Sequence, residues 1–243
     1  MNNDSYFDFE NKFRGDRNDI IKRLSIYESL IDLVIKNNKC NRFLDLGSGR
    51  GEWLELCKKK DISCTGFECH QDMVDFCLHK DLPVIKGDAK LLINEIPSNS
   101  ISLITVFHMV EHLSNNYLVD LLEQCNRVLT DNGVLIIETP SIDNILVSTN
   151  TFYLDPTHNN PINKDRICFL LEHIGFHEVN HFFIHGGPLA KSSNLKFTRI
   201  LNGVAQDLLL IATKSENITK FLYEINSDWV GFLDHAPSTL ECA

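Results

Sequence analysis

The fold of this chain is decided by the stretch Arg42-Phe-Leu-Asp45-Leu-Gly47-Ser-Gly49-Arg-Gly51-Glu52. A short apolar strand runs here into a turn with glycine at every second position, and a helix follows. Glycine is required where a side chain would block close backbone approach or where φ is positive. The start of the helix offers unpaired N–H groups to a polar ligand. The stretch therefore predicts a nucleoside-binding turn, and it matches neither a phosphate loop nor the dinucleotide fingerprint.

A carboxylate follows this turn at the distance expected for a ribose ligand. Residues Ser63-Cys-Thr-Gly-Phe67 are typical of a second strand, and Glu68 ends that strand. In nucleotide-binding α/β units, an acidic residue about 20 residues beyond the first turn accepts hydrogen bonds from the ribose hydroxyls. We therefore predict that Glu68 binds the ribose. Taken alone, such a carboxylate is more often a solvated loop charge or a helix N-cap, and it is the spacing after the glycine turn that favours a ligand contact.

The glycine turn, Asp-x-Gly-x-Gly-x-Gly, resembles the first motif of the class I S-adenosylmethionine-dependent methyltransferases. In that family an acidic residue after the third strand hydrogen-bonds the adenine amino group. Here the strand Pro83-Val-Ile-Lys86 is followed by Gly87-Asp88-Ala89, so the resemblance assigns the adenine contact to Asp88. It implies S-adenosylmethionine as the cofactor. The cofactor contacts that it implies within the α/β domain are Asp45, Gly47, Ser48, Gly49, Gly51, Glu68, Asp88, Ala89 and Phe107.

Length and charge limit the class of protein. The 243 residues are 43% apolar, which suits one α/β domain with accessory elements. The 23 basic and 33 acidic residues give a net charge of −10, which opposes attraction to a polyphosphate backbone, so we expect no DNA partner. The first residues do not resemble a secretion signal, and no run reaches the ~20 apolar residues of a membrane span. We expect a soluble, cytoplasmic protein without a transmembrane segment.

Apolar periodicity predicts strands that alternate with helices. Residues 17–36 have the spacing of an amphipathic helix, and Asp131-Asn-Gly133 is typical of a turn. Further strands are predicted at 101–107, 133–138, 179–184 and 208–213. The alternation predicts a doubly wound, Rossmann-like α/β fold with a mostly parallel seven-stranded sheet, whose ligands lie beyond the carboxyl ends of the strands. We divide the chain into an N-terminal helical cap (1–40), a cofactor-binding methyltransferase domain (41–213) and a C-terminal helical tail (214–243).

A second group of polar residues, His108-Met-Val-Glu111-His112, directly follows the strand predicted at 101–107. Taken alone it is the His-x-x-Glu-His pattern of an inverted zinc peptidase, with two histidines one helical turn apart. A peptidase would not require the cofactor turn and the acidic residues upstream of it. We therefore place these residues in the cleft where cofactor and acceptor meet. Histidines that hydrogen-bond backbone carbonyls near a helix start remain the structural alternative.

Five segments together are similar to the methyltransferase domain of bacterial O-antigen chain-terminating enzymes. They are Phe9-Glu-x-x-Phe-Arg14-Gly-x-Arg17, Phe43-Leu-Asp-Leu-Gly-x-Gly-Arg-Gly-Glu-Trp53, Phe107-His-x-Val-Glu-His-Leu113, Glu138-Thr-Pro140 and Phe152-Tyr-Leu-Asp-Pro-Thr-His158. Those enzymes methylate the growing end of a lipid-linked glycan, on a terminal phosphate or on a sugar hydroxyl. The kinase-like region and the heptad run of the bifunctional members are absent here, which favours a sugar hydroxyl.

This resemblance also assigns roles to residues around the acceptor. The catalytic residues that it implies are His108, Glu111, His112, Asp155 and His158. In these enzymes an N-terminal aromatic residue and an arginine reach over the cofactor, which indicates Tyr6 and Arg23. Arg14 and Arg17 are candidates for binding an anionic acceptor, with a surface role as the alternative for each arginine.

A different comparison bears on metal binding. Ubiquinone-pathway and small-RNA 3′-end methyltransferases have a Glu-x-x-Glu-His motif at the place of residues 108–112, and the RNA enzymes add a later histidine to bind a divalent ion. By this resemblance, His108, Glu111, His112 and His158 could supply four ligands. The first ligand is histidine rather than glutamate, so the presence and the identity of a metal stay open.

The chemistry of methyl transfer separates the possible acceptors. A phosphate oxygen is already ionised, whereas a sugar hydroxyl needs a proton acceptor or a metal. The histidines therefore favour an O-methyltransferase that acts on the terminal sugar of a bacterial surface polysaccharide and caps its growth. Its partners would be a glycan or lipid-linked oligosaccharide and, peripherally, the polysaccharide assembly machinery. The alternatives are a methyltransferase for another small metabolite or an RNA end, a cofactor-binding module without turnover, and a zinc hydrolase.

Overall fold

The structure is a computed structural model that describes residues 3–185 and 204–216, with side chains from residue 7 onward. Within these ranges helices and strands alternate. The helices are α1 (Asn3–Phe13), α2 (Arg17–Leu24), α3 (Glu28–Asn37), α4 (Glu52–Lys59), α5 (Gln71–His79), α6 (Ala89–Asn94), α7 (Asn115–Val128), α8 (Ile145–Thr149) and α9 (Lys164–Ile174), with 3-10 turns at Ser25–Tyr27, Val110–His112 and Thr151–Leu154. The strands are β1 (Arg42–Leu46), β2 (Ser63–Glu68), β3 (Val84–Lys86), β4 (Ile101–Phe107), β5 (Leu129–Pro140), β6 (Glu178–Ile184) and β7 (Asp207–Thr213).

The seven strands form one sheet in the order β3-β2-β1-β4-β5-β7-β6. Strands β1 to β5 are parallel, and β7 runs antiparallel to both β5 and β6. This confirms the predicted doubly wound, mostly parallel seven-stranded α/β sheet. Because parallel strands end at the same edge of a sheet, the loops after β1, β2, β3 and β4 lie side by side.

The apolar core lies in two layers, one on each face of the sheet. Successive residues of a strand point to opposite faces, so Leu44 and Ile104 belong to one layer, and Phe43 and Leu103 belong to the other. Helices α6, α7 and α9 contribute to the first layer, and α3 and α4 contribute to the second. Strand β4 is buried along its whole length, as expected for a central parallel strand.

The helix predicted at 17–36 is interrupted. A 3-10 turn at Ser25–Tyr27 separates α2 from α3. Tyr27 is fully buried there, and its hydroxyl donates to Glu138 Oε2 at 2.5 Å. The contact joins the 3-10 turn to β5, a long-range interaction that the apolar spacing, which alone predicts a continuous helix, does not reveal.

The turn predicted at 131–133 is part of β5, so that prediction is wrong. The pairing of β4 with β5 jumps from Ile101 with Leu129 to Leu103 with Val134. The extra residues bulge out of the ladder without ending the strand. The sequence pattern therefore located an irregularity correctly but misjudged its kind.

Two further observations concern membrane-spanning helices and the predicted C-terminal tail. None of the helices in the described ranges is long and apolar enough to cross a bilayer. The predicted C-terminal tail, 214–243, falls outside the described residues from 217 onward.

Candidate active site

Two adjoining cavities open at the carboxyl edge of the sheet. The smaller, of about 300 Å³, lies over the glycine turn and the ends of β2 and β3, and we call it the turn cavity. The larger, of about 380 Å³, lies over the ends of β4, β5 and β7, and we call it the histidine cavity. The residues that line both are Glu10, Arg14, Gly47, His108 and His112. A molecule in one cavity therefore meets a molecule in the other at this shared boundary.

The glycine turn follows β1 and is tied to the end of β2. The backbone N–H groups of Gly47 and Ser48 both donate to Phe67 O, at 2.9 and 3.2 Å. Gly47 has φ +71°, and a Cβ there would come within 3.0 Å of the Met109 side chain. Because Gly47 also lines both cavities, its lack of a side chain keeps the passage between them open.

Gly51, a predicted cofactor contact, does not line either cavity. It has φ +73° and precedes α4. A Cβ at this position would lie 2.7 Å from Leu82 Cδ1 and 2.8 Å from Cys77 Sγ. Glycine is therefore required here by packing behind the turn, against the segment that leads into β3.

Glu68 stands at the wall of the turn cavity, as predicted for a ribose ligand. It is 5% exposed. Its Oε2 accepts from Gly49 N and its Oε1 accepts from His70 N, both at 2.8 Å. Although burial opposes ionisation, His70 and these N–H groups lower the pKa of Glu68. The cavity thus contains a fixed negative carboxylate.

Asp88 and Ala89 also line the turn cavity. Asp88 Oδ1 accepts from Leu91 N at 3.0 Å, which caps α6, and from the Tyr117 hydroxyl at 2.9 Å. Asp88 is therefore a helix N-cap, the structural role considered for an isolated carboxylate. It can also line the cavity, because both of these hydrogen bonds use the same oxygen, Oδ1.

The three predicted arginines of the N-terminal segment lie in different places relative to the cavities. Arg14 lies at the boundary of both cavities, where its Nη1 contacts Glu10 Oε2 at 3.0 Å. Arg23 lines only the histidine cavity. Arg17 lines neither, because its guanidinium binds Glu55 Oε2 at 2.7 Å and the backbone of the glycine turn. The side chain of Tyr6 lies outside the described part.

Asp45, Ser48 and Phe107, predicted as cofactor contacts, line the histidine cavity rather than the turn cavity. Asp45 is buried and accepts from Thr105 Oγ1 at 2.7 Å. Burial raises the pKa of Asp45 to about 6. A ligand that reached these residues as well as the predicted contacts in the turn cavity would therefore cross the shared boundary at Gly47.

His108 follows β4 in a left-handed conformation, with φ +51°. Its Nδ1 lies 3.5 Å from Glu111 Oε1, and its Nε2 lies 3.4 Å from Glu138 Oε1. Burial opposes a charged ring, but these carboxylates outweigh it and hold the pKa of His108 well above its usual value. His108 is thus an imidazolium with both nitrogens protonated, and it has no lone pair for a proton or a metal.

A second histidine, His185, directly follows β6 and shares the carboxylate of Glu138 with His108. Its Nδ1 lies 3.0 Å from Asp207 Oδ2 and 3.3 Å from Glu138 Oε1. With Tyr27 and His108 also in contact with Glu138, groups from five separate parts of the chain meet at the histidine cavity. His185 and Asp207 are not predictable from the sequence, since no local pattern brings them to this place.

We expect His185 to make stability depend on pH. Burial opposes its charge, but Asp207 and Glu138 raise the pKa of His185 to about 9. An unfolded histidine titrates near about 6.5, so the stabilisation is complete below that pH and is lost as the pH rises towards 9. The free energy of unfolding of the wild type, minus that of His185→Gln, should fall by about 1–3 kcal/mol between pH 6 and 9.5 in urea titrations. A constant difference over this range would contradict the assignment.

His112 is held by a short relay. Its Nδ1 lies 2.8 Å from Thr157 Oγ1, and that hydroxyl donates to Asp155 Oδ1 at 2.6 Å. Because the hydroxyl proton is directed to Asp155, the His112 Nδ1–H must donate, and Nε2 keeps its lone pair. Burial lowers the pKa of His112, so the ring is neutral and can accept a proton. Thr157 was not predicted, although its Asp-Pro-Thr context is typical of such a turn.

His158 and Glu111 lie beside His112. The Nδ1–H of His158 donates to Phe152 O at 2.7 Å, which leaves its Nε2 free, and that Nε2 lies 3.9 Å from Glu111 Oε1. The backbone oxygen of Glu111 accepts from Asn159 N and Asn160 N at 3.0 and 2.9 Å. These bonds tie the loop with His158 to the 3-10 turn with Glu111. The structure thus brings Glu111, His112, Asp155 and His158 together as predicted.

The two histidines of the His-x-x-Glu-His pattern do not share a cluster. Glu111, His112 and His158 offer ligand atoms within 4.8 Å of one another, whereas His108 groups with Glu138 and Asp207. The paired histidine ligands of an inverted zinc peptidase therefore do not form.

Comparisons with known proteins agree with this geometry. A family profile described as a methyltransferase domain matches residues 17–181. A solved S-adenosylmethionine-dependent methyltransferase from Archaeoglobus fulgidus is 32% identical, with a TM-score of 0.72, over 85% of this chain and 98% of that one. No curated protein matches the chain.

More distant structures share the fold. A possible histamine N-methyltransferase from Thermotoga maritima is 17% identical, with a TM-score of 0.60, over 86% of this chain and 98% of that one. Phosphoethanolamine N-methyltransferase 2 from Haemonchus contortus, solved with S-adenosylhomocysteine, is 16% identical, with a TM-score of 0.59, over 86% of this chain and 60% of that one. The family profile covers more than half of this chain, which therefore belongs to the class I S-adenosylmethionine-dependent methyltransferases.

Proposed function

We propose that this methyltransferase transfers the methyl group to a hydroxyl of a sugar at the end of a bacterial surface polysaccharide. The turn cavity would hold the adenosine of the donor, with Glu68 on the ribose and Asp88 at the adenine. The histidine cavity would hold the acceptor. The sulfonium methyl group would then lie at the shared boundary, beside Gly47 and His112.

The observation that carries this proposal is the position of His112. It lines both cavities, it is neutral, and its free Nε2 is fixed by the relay to Asp155. A hydroxyl acceptor must lose its proton during transfer, whereas a phosphate oxygen needs no base. A neutral histidine at the point of transfer therefore supports a hydroxyl over an anionic acceptor.

Methyl transfer requires an in-line approach of the acceptor oxygen to the methyl carbon. The carbon–oxygen bond forms as the carbon–sulfur bond breaks, the electron pair stays on sulfur, and the hydroxyl proton passes to His112 Nε2. Holding the two molecules at this geometry can contribute on the order of 7–11 kcal/mol. A general base adds roughly 10²–10⁴-fold.

The walls of the histidine cavity support a neutral acceptor. Six carboxylates line it against two arginines and the two charged histidines His108 and His185, so negative charge is in excess, which disfavours a phosphate or a carboxylate ligand. Aromatic rings from five residues supply apolar faces, which the C–H faces of a sugar ring can pack against, while the carboxylates accept hydrogen bonds from its hydroxyls. The aromatic residues are Phe9, Phe13, Trp53, Phe107 and Phe152.

In the cell, this activity would cap a growing chain. The acceptor would be a lipid-linked oligosaccharide in the cytoplasm, and the enzyme would associate peripherally with the polysaccharide assembly machinery. The support is the resemblance of five segments between residues 9 and 158 to O-antigen chain-terminating enzymes.

An acceptor panel tests the proposal. The purified protein is incubated with S-adenosylmethionine and methyl glycosides, sugar phosphates or small amines, and S-adenosylhomocysteine is measured by mass spectrometry. We expect turnover with a glycoside and a methylated hydroxyl in the product. Turnover with sugar phosphates alone would contradict the proposal.

The role of Glu68 in donor binding gives a second test. Glu68→Gln removes the negative charge, and its amide group must face either Gly49 N–H or His70 N–H. Losing a hydrogen bond to a charged group costs about 1.5–3 kcal/mol, so the affinity for S-adenosylmethionine should fall roughly 10- to 150-fold by calorimetry. Glu123→Gln, on the exposed face of α7, is the control and should leave the affinity unchanged. Equal affinities for both variants would refute the assignment.

A second candidate is N-methylation of a small amine. The excess of carboxylates in the histidine cavity would also attract a cation. Two proteins of similar fold are named as amine methyltransferases. Turnover with amines but not with glycosides in the same panel would favour this candidate.

A further inference from the structure

We propose that the surface formed by residues 144–154 binds the sugars next to the terminal sugar of the acceptor, so that the substrate is a neutral oligosaccharide and not a single sugar. We call this surface the rim segment. It comprises α8 and the 3-10 turn Thr151–Leu154, beside the histidine cavity. Its use in methyl transfer rests on the proposed function, but its binding of sugars does not.

A row of four rings joins the boundary between the cavities to solvent. The ring centroids of His112 and His158 are 4.7 Å apart, those of His158 and Phe152 are 4.8 Å apart, and those of Phe152 and Tyr153 are 5.4 Å apart. His112 lines both cavities, whereas Tyr153 lines neither. A chain of sugars that begins beside His112 can therefore leave the cavity along Phe152 and meet Tyr153 at the surface.

Tyr153 is held in place although it is 64% exposed. Its ring stands at 79° to the ring of Phe152, which is buried. The Tyr153 N–H donates to Asn150 O at 3.1 Å, and Phe152 O accepts from His158 Nδ1 at 2.7 Å. A tyrosine offers a large, rigid contact surface at a low cost in conformational entropy. Tyr153 is thus a preformed platform for the C–H face of a sugar ring.

The rim segment is uncharged and unusually apolar for a surface. Residues 144–154 contain no Asp, Glu, Lys, Arg or His, although 23% of the chain is charged. Four of the nine large apolar side chains that are exposed in the described part belong to it. Between them lie the exposed polar residues Thr149, Asn150 and Thr151. Apolar faces together with neutral hydrogen-bonding groups match the C–H faces and the hydroxyls of an uncharged sugar.

Charge and position favour a glycan over a lipid bilayer. Surfaces that bind membranes combine apolar residues with Lys and Arg, which attract anionic lipids. The rim segment has no basic residue, and the chain carries a net charge of −10. The rim segment is also continuous with the histidine cavity, because Thr151, Phe152 and Leu154 line that cavity. An acceptor that extends out of the cavity on this side therefore meets the rim segment.

This arrangement divides the recognition of the acceptor between two places. A tyrosine face contacts C–H groups, which most neutral hexoses present, so the rim segment should discriminate by chain length more than by the kind of sugar. The hydrogen-bonding groups inside the histidine cavity would select the terminal sugar. Neutral oligosaccharides of common hexoses are therefore suitable probes of the rim segment.

Binding of such oligosaccharides tests the proposal without S-adenosylmethionine. The protein is titrated with oligomers of glucose, mannose, galactose or N-acetylglucosamine, from the monosaccharide to the hexasaccharide, and affinities are measured by saturation-transfer NMR. We expect the affinity to rise with length in at least one series. Tyr153→Ala should weaken the binding of the longer oligomers about 5- to 30-fold, as the loss of an aromatic anchor does, and should leave the monosaccharide unaffected.

Two further variants complete the test. Phe169→Ala is the matched control, since Phe169 is 68% exposed on α9 and lines neither cavity. It should leave the binding of sugars unchanged. Tyr153→Phe keeps the ring and should retain most of the affinity. Equal affinities in Tyr153→Ala and Phe169→Ala, or no gain of affinity with length in any series, would overturn the proposal.

Other occupants of this surface would be recognised in the same variants. Flotation with vesicles of phosphatidylethanolamine and phosphatidylglycerol, or a dimer in solution, would assign the surface to a membrane or a second copy if Tyr153→Ala abolished it and length had no effect on sugar binding. Either result would contradict the proposal.

Kinetics separate this proposal from the proposed function. With a glycoside that is methylated, Tyr153→Ala should raise KM for the trisaccharide towards the value for the monosaccharide while kcat stays unchanged. A merely structural role would change the kinetics of both acceptors alike. Length-dependent binding without methylation of any glycoside would refute the proposed function alone, whereas methylation of glycosides with no effect of length on KM or on binding would refute only the role of the rim segment.

Discussion

His158→Ala and His112→Ala should each lower the rate of methyl transfer about 10²- to 10⁴-fold while the affinity for S-adenosylmethionine stays at the wild-type value. The rate is measured as S-adenosylhomocysteine formed with the best glycoside of the acceptor panel. Donor affinity is measured by calorimetry. The effect is expected to be large because, in the proposed reaction, a hydroxyl acceptor must lose its proton and both histidines line the cavity where that proton would be taken up.

The positions of the two cavities explain why the rate should fall while the affinity for the donor stays unchanged. His158 lines only the histidine cavity, so its loss leaves the donor contacts of the turn cavity intact. His112 lines both, but in the proposed arrangement Glu68 and Asp88 would bind the far end of the donor, away from His112. His79→Ala is the matched control, since His79 is exposed and lines neither cavity. Normal rates in both histidine variants would show that the proton leaves by another route.

Several features of the fold and of the site could be predicted because they depend on local patterns. The glycine spacing after β1 requires positive φ values, and Gly47 and Gly51 have them. Alternation of strands and helices limits the sheet to a doubly wound arrangement. Glu68 and Asp88 then reach one edge because Glu68 ends β2 and Asp88 comes shortly after β3, which is parallel to β2.

The remaining features depend on contacts between distant parts of the chain. Tyr27, Glu138 and His185 meet through buried polar contacts that leave no spacing in the sequence. The same contacts explain why the helix predicted at 17–36 breaks, since the tyrosine must turn inward. The charge of His108 likewise follows from carboxylates on β5 and β7, so its exclusion as a base or ligand needed the structure.

The packing role of Gly51 leads to the second large effect. In Gly51→Ala, a left-handed conformation costs an alanine about 1 kcal/mol, and the new methyl group presses on Leu82 and Cys77. Overpacking of this kind costs about 1–3 kcal/mol, so the free energy of unfolding should fall by about 2–4 kcal/mol in all. Urea unfolding at constant slope measures the loss.

Gly15→Ala separates the two contributions to this loss. Gly15 also has a positive φ, +96°, but a Cβ there meets nothing within 4 Å. Its variant should therefore lose only the conformational part, about 1 kcal/mol. If Gly51→Ala lost no more than Gly15→Ala, the close approach to Leu82 and Cys77 would not be what requires glycine. Glycine would then be required at this position by its backbone conformation alone, and Gly51→Ala would cost only about 1 kcal/mol.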